Sequence, residues 1–69
     1  MPRFAVAHQV AGSSEPPTYY RIGGGYGHIR VGTSLEATTW STEQEARDAI
    51  HELGLSDDRE VFVADISAQ

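Results

Sequence analysis

Ser41-Thr42-Glu43-Gln44-Glu45-Ala46-Arg47-Asp48-Ala49-Ile50-His51-Glu52-Leu53-Gly54-Leu55 is the stretch whose reading decides the fold. Ala46, Ala49, Ile50 and Leu53 recur at steps of three and four residues, which places them in one apolar stripe along an α-helix. Two capping-box spacings offer a start, Ser41 with Gln44 or Thr42 with Glu45; in either, a hydroxyl and a longer side chain satisfy amides that the first turn leaves without partners. Glu43 suits the positive end of the helix dipole and His51 the negative end. Gly54 can take the left-handed conformation that ends a helix, with Leu55 folding back onto Ile50. The spacing predicts an amphipathic helix from about Thr42 to Leu53, capped at both ends.

The flanks of this helix read as strands. After it, Asp57-Asp58 make a turn, and Val61-Phe62-Val63-Ala64 begin a last strand that runs to about Ile66. Before it, Leu35 to Trp40 places threonines and an aromatic in alternation, which suits a further strand. Thr18 to Ile22 and His28 to Val31 are β-rich runs joined by Gly23-Gly24-Gly25-Tyr26-Gly27, whose glycines supply the positive φ angles of a hairpin connection. At the start, Phe4, Val6 and Val10 alternate with Ala5, Ala7 and Gln9 as in a half-buried strand, and His8 falls on the Phe4 face. Gly12, Ser13, Ser14, Pro16 and Pro17 mark Ala11 to Pro17 as the loop that ends it. Strands before one helix, without strand–helix alternation, imply an α+β fold. We expect an antiparallel sheet of about four or five strands with one helix on one face, in the order β-β-β-(β)-α-β. The expected core is Phe4, Val6, Ile22, Ile29, Trp40, Ile50, Leu53 and Phe62.

Sixty-nine residues are expected to form one domain, 1–69, too small for an elaborate cavity. Cysteine is absent, which removes disulfides, thiolate catalysis and sulfur-based zinc sites, and fits a reducing, cytoplasmic setting. Residues Met1 to Val10 carry one arginine and no long apolar stretch, and no apolar run anywhere reaches membrane-span length.

Charge is distributed unevenly. Residues 1–35 hold Arg3, Arg21 and Arg30 against Glu15, a net of +2. The remainder holds Arg47 and Arg59 against Glu36, Glu43, Glu45, Asp48, Glu52, Asp57, Asp58, Glu60 and Asp65, a net of −7. Such asymmetry points to an electrostatic face. It argues against direct binding of nucleic acid or an anionic membrane, both of which demand clustered positive charge.

Little in the sequence reads as catalytic. The glycine run Gly23 to Gly27 precedes a strand rather than a helix, and the chain has no lysine, so a phosphate-binding loop is not the reading. Tyr26 at its tip is either a contact anchor for a protein partner or a tyrosine lying back on the sheet. His8, His28 and His51 are far apart and lack the four-residue helical spacing of a metal pair, so any metal site would be assembled by the fold alone. No motif joins the serines, histidines and acids into a nucleophile–base arrangement. No enzymatic activity, metal or cofactor is expected.

The remaining feature is acidic. At about 100° per residue, Glu45, Asp48 and Glu52 share one side of the helix away from the apolar stripe. Asp48 and Glu52 repel each other at i and i+4, a cost of a few tenths of a kcal/mol that Glu43 with Arg47 offsets. Asp57, Asp58 and Glu60 follow directly, giving a carboxylate cluster. The cluster either imitates the phosphates of a nucleic acid within a basic groove or is a solvated face.

In size, acidity and the order of hairpin, helix and last strand, the whole chain resembles small phage-encoded inhibitors of the anti-CRISPR type, several of which act as acidic DNA mimics; that class shares no motif. Gly24-Gly25-Tyr26-Gly27 through Ser41-Thr42-Glu43-Gln44-Glu45-Ala46 is also similar to HicB-type antitoxins, although their Pro-Asp-Leu-Pro-Gly segment has no counterpart here. The first resemblance implies a non-enzymatic protein in the host cytoplasm that blocks the basic nucleic-acid-binding surface of a partner such as a CRISPR-Cas effector subunit. The second implies neutralisation of a basic RNase toxin. The expected contact residues are Glu45, Asp48, Glu52, Asp57, Asp58, Glu60 and Tyr26, on a monomer or homodimer.

Overall fold

The computed structural model describes residues 2–23 and 27–68. Helix α1, Glu43–Glu52, is held at both ends by the predicted chemistry. Of the two possible caps, Thr42 takes the role. Its Oγ1 accepts from the Glu45 amide at 3.2 Å and donates to Glu45 Oε1 at 3.1 Å. At the other end the Gly54 amide donates to the His51 carbonyl, and the Leu55 amide to the Ile50 carbonyl. With Gly54 at φ +74°, this is a Schellman motif, a geometry that a residue with Cβ adopts only under strain. Thr42→Ala and Gly54→Ala are each expected to cost about 1 kcal/mol. Chemical denaturation of the two single variants checks this, and the double variant should sum them, since the caps share no partner.

The five strands are β1 (Phe4–His8), β2 (Thr18–Ile22), β3 (His28–Val31), β4 (Thr39–Trp40) and β5 (Val61–Asp65), and every pairing is antiparallel. The fold is thus α+β, with one helix on a five-stranded curled sheet. The β2–β3 hairpin forms as the glycines predicted: the Gly23 amide donates to the Gly27 carbonyl at 3.2 Å, and both glycines have positive φ. Tyr26, expected at its tip, lies outside the described residues.

β1 is the central strand. One edge pairs along its whole length with β5. The other edge is shared, Ala7 and His8 with β2, Phe4 and Ala5 with β4. This sharing corrects the strand expected over Leu35 to Trp40. With part of the β1 edge taken by β2, only Thr39 and Trp40 reach the ladder. Thr38 bridges sideways instead, its amide donating to the Tyr20 carbonyl and its Oγ1 accepting from the Ile22 amide at 2.8 Å. Upstream, Ser34–Glu36 turn as a short 3-10 helix that leaves Leu35 exposed.

The core also departs from the expected list. Ala5, Val6 and Ala7 are all fully buried, so β1 is covered on both faces. Helix α1 packs over β1, β4 and β5 with Ala46 buried. By register this face carries Phe4, Val6, Trp40, Val61 and Val63. On the opposite face Ala5, Ala7, Tyr19 and Ile66 form a second buried cluster, flanked by Val31, Ala37 and Ala64. Ile29 and Phe62, expected inside, are exposed, because they lie on strands at the two free edges of the sheet. Phe4, Ile22, Trp40, Ile50 and Leu53 are half-buried.

The end of β5 is tied to the start of β1. Ser67 Oγ accepts from the Arg3 amide at 2.9 Å and donates to Asp65 Oδ1 at 2.6 Å. The Ser67 hydroxyl, and then its amide, lower the pKa of the Asp65 carboxyl below the usual carboxylate value. A depressed acid contributes stability above its unfolded pKa and loses it as pH falls through the folded value. The protection of the Arg3 and Ser67 amides, measured against the intrinsic exchange rate at each pH, is therefore expected to fall below about pH 4, and Asp65→Asn to remove that acid limb.

Candidate functional site

Two features stand out on the helix side of the sheet. The first is the acidic surface. Glu45, Asp48, Glu52 and Asp57 are all exposed, on α1 and the turn after it. Glu45 belongs to the cap, and Asp48 Oδ1 accepts from Gln44 Nε2 at 3.0 Å. The helix ion pair, Glu43 with Arg47 at 3.0 Å, lies on the other flank and, with both partners well exposed, contributes a few tenths of a kcal/mol. Among the described residues, no basic side chain lies within 4 Å of Glu45, Asp48, Glu52 or Asp57.

Asp58 and Glu60 serve the fold through their carboxylates, as Glu45 does at the cap. Asp58 Oδ1 accepts from the Glu60 amide at 2.9 Å and so shapes the turn. Glu60 is half-buried: Oε2 accepts from the Ala11 amide at 3.3 Å, and Oε1 lies 3.4 Å from His8 Nε2. Glu60 thus ties the loop after β1 to the turn before β5.

The second feature is the cluster that this contact begins. His8 ends β1, and its side chain is only 12% exposed. Its Nδ1 lies 3.0 Å from Arg30 Nη1. A guanidinium has donors and no lone pair, so Nδ1 accepts, which puts the ring proton on Nε2, facing Glu60. Arg30 is opposite Tyr20 in the β2–β3 pairing, and the Tyr20 ring meets His28 edge to face at a centroid distance of 5.4 Å. Burial raises the pKa of the Tyr20 phenol; Arg30 opposes the rise and Asp58 adds to it.

His8, Asp58 and Glu60 bring ligand atoms within 4.8 Å of one another, the geometry of a cation site. The chemistry does not fit one. A metal at Nε2 needs the lone pair there and the proton on Nδ1, whereas Arg30 requires the reverse and adds a positive charge beside the ring. The set reads as a hydrogen-bonded chain, Arg30 to His8 to Glu60 to Ala11. Sequence spacing gave no sign of it, because its members are 22 and 52 positions apart from His8 and meet only through strand pairing.

Beside this chain an open cleft of about 250 Å³ lies under the loop of residues 9–17, with His8, Thr18 and Arg30 among its walls. No helix among the described residues is long and apolar enough to cross a membrane. No protein family, curated protein or solved structure matches the chain.

Proposed function

We propose that this chain is a non-enzymatic acidic binding protein that occupies the basic, nucleic-acid-handling surface of a protein partner. The observation that carries the reading is the run of exposed carboxylates Glu45, Asp48, Glu52 and Asp57, with no neutralising cation within 4 Å among the described residues. Three of them are fixed on a helix capped at both ends, so they meet a partner with little further ordering cost. Carboxylates so placed present acceptor oxygens to arginine forks and stand in for phosphates. A phage or mobile-element inhibitor of a CRISPR effector is the specific form of this reading that the small size and acidity support.

The test is capture from a lysate of the native host on the immobilised protein at low salt. Captured proteins are expected to bind nucleic acid, to elute with rising salt, and to be displaced by added duplex DNA. Capture that resists both salt and DNA would sink the proposal.

A further inference from the structure

We propose that Arg30, held in place by His8, forms a binding site for a small organic carboxylate in the cleft under the loop of residues 9–17. At about 250 Å³ the cleft is smaller than the roughly 300–1,000 Å³ typical of drug-sized ligands, which limits the occupant to about the size of an amino acid. Arg30 is the one arginine in its wall, with His8 beside it. Among the described residues, no carboxylate lies within 4 Å of its guanidinium.

The guanidinium is nonetheless positioned. Nη1 donates to His8 Nδ1 at 3.0 Å, and the imidazole is itself fixed on its far edge by Glu60. With Nη1 engaged, the Nε–Nη2 edge remains, two parallel donors whose spacing matches the two oxygens of a carboxylate. Glu60 is not part of the cleft wall and makes no ion pair with Arg30, so it fixes His8 without competing for that edge. Val10 and Pro16 in the wall offer apolar contact to the carbon end of the ligand, and Val10 is more than half exposed without one. Glu15 also lines the cleft and the chain carries a net −5, so a monoanion is favoured over a phosphate dianion. His8 is here a positioning residue. Losing it frees the arginine side chain without removing the donors that bind.

The experiment is an NMR titration of the full chain with acetate, propionate and N-acetylglycine, at ionic strength matched with sodium chloride. Saturable shifts are expected at His8, Thr18 and Arg30, with Kd on the order of 1 mM for the best of the three. N-acetylglycinamide, which lacks the charge, should give none. Arg30→Gln, at an exposed position that leaves the fold intact, should weaken binding at least tenfold. His8→Gln should weaken it by a smaller factor, and thermal melting of both variants separates lost binding from lost fold. Absence of saturation, equal shifts with the amide, tighter binding of inorganic phosphate, or unchanged binding by folded Arg30→Gln would each overturn the assignment.

Discussion

Ile66→Ala is expected to lower the melting temperature by roughly 12–24 °C. Ile66 lies one residue past β5, is 1% exposed, and with Val6 is the largest fully buried side chain among the described residues. It packs with Ala5, Ala7 and Tyr19, and its amide donates to the Arg3 carbonyl at 2.9 Å. The surroundings cannot close over the gap left by truncation. Ala5 and Ala7 belong to a strand held at both edges, and two of the neighbours are already alanines with nothing to extend into the space. Truncating a buried isoleucine costs about 2–5 kcal/mol, and we take about 3 for an enclosed site of this kind. A 69-residue chain has roughly 3–10 kcal/mol in total, and each kcal/mol moves the midpoint by about 4–8 °C at this size. Phe62→Ala is the contrasting variant. Its ring is 39% exposed on an outer strand, so the larger side chain should cost less. Circular dichroism melts of the two decide the matter: if Phe62→Ala is the more damaging, the core lies where sequence patterning placed it.

That contrast marks the boundary of what the sequence made legible. The helix was readable because its determinants are local: Thr42, Glu45, Gly54 and Leu55 act within a few residues of one another and of the apolar stripe. The same holds for β2 and β3, whose limits follow from the glycine-rich connection. In β1 the burial of Val6 was readable, but that of Ala5 and Ala7 was not, because alanine suits either face of a strand. Only the second cluster, closed by Ile66 and Tyr19, makes Ala5 and Ala7 interior. β4 shrank to two residues through competition for an edge, and no single-strand pattern encodes competition. The acidic face was legible as charge, since exposure of a helix flank follows from its period. For Glu60 the separation from the other acids was not, because it depends on His8 and Ala11, about fifty positions earlier, whereas Asp58 is set apart by a local turn bond from the Glu60 amide.

This separation also determines which acids should be reversed to test the proposed function. Asp58 shapes its turn and Glu60 holds His8, so lysine at either would confound binding with folding. Asp48, Glu52 and Asp57 are exposed, and Asp48 gives up a surface hydrogen bond from Gln44. Asp48→Lys, Glu52→Lys and Asp57→Lys together move the formal net charge from −5 to +1. The helix keeps its caps and apolar stripe, lysines near its C-terminus suit the dipole, and one like-charge pair replaces another, so the melting point should shift by only a few degrees. Binding should respond strongly. Like charges facing each other across an interface cost several kcal/mol, so affinity for a basic partner is expected to fall at least 100-fold at low salt, chiefly through slower association. Net charge alone would lower affinity too, and a second variant separates the two causes. Glu15→Lys with Glu36→Lys changes the total by four charges away from α1 and should keep most of the affinity. Equal loss in both variants would mean that the bulk charge attracts the partner and the helix face does not select it. An unchanged affinity in the triple variant would remove α1 from the interface altogether.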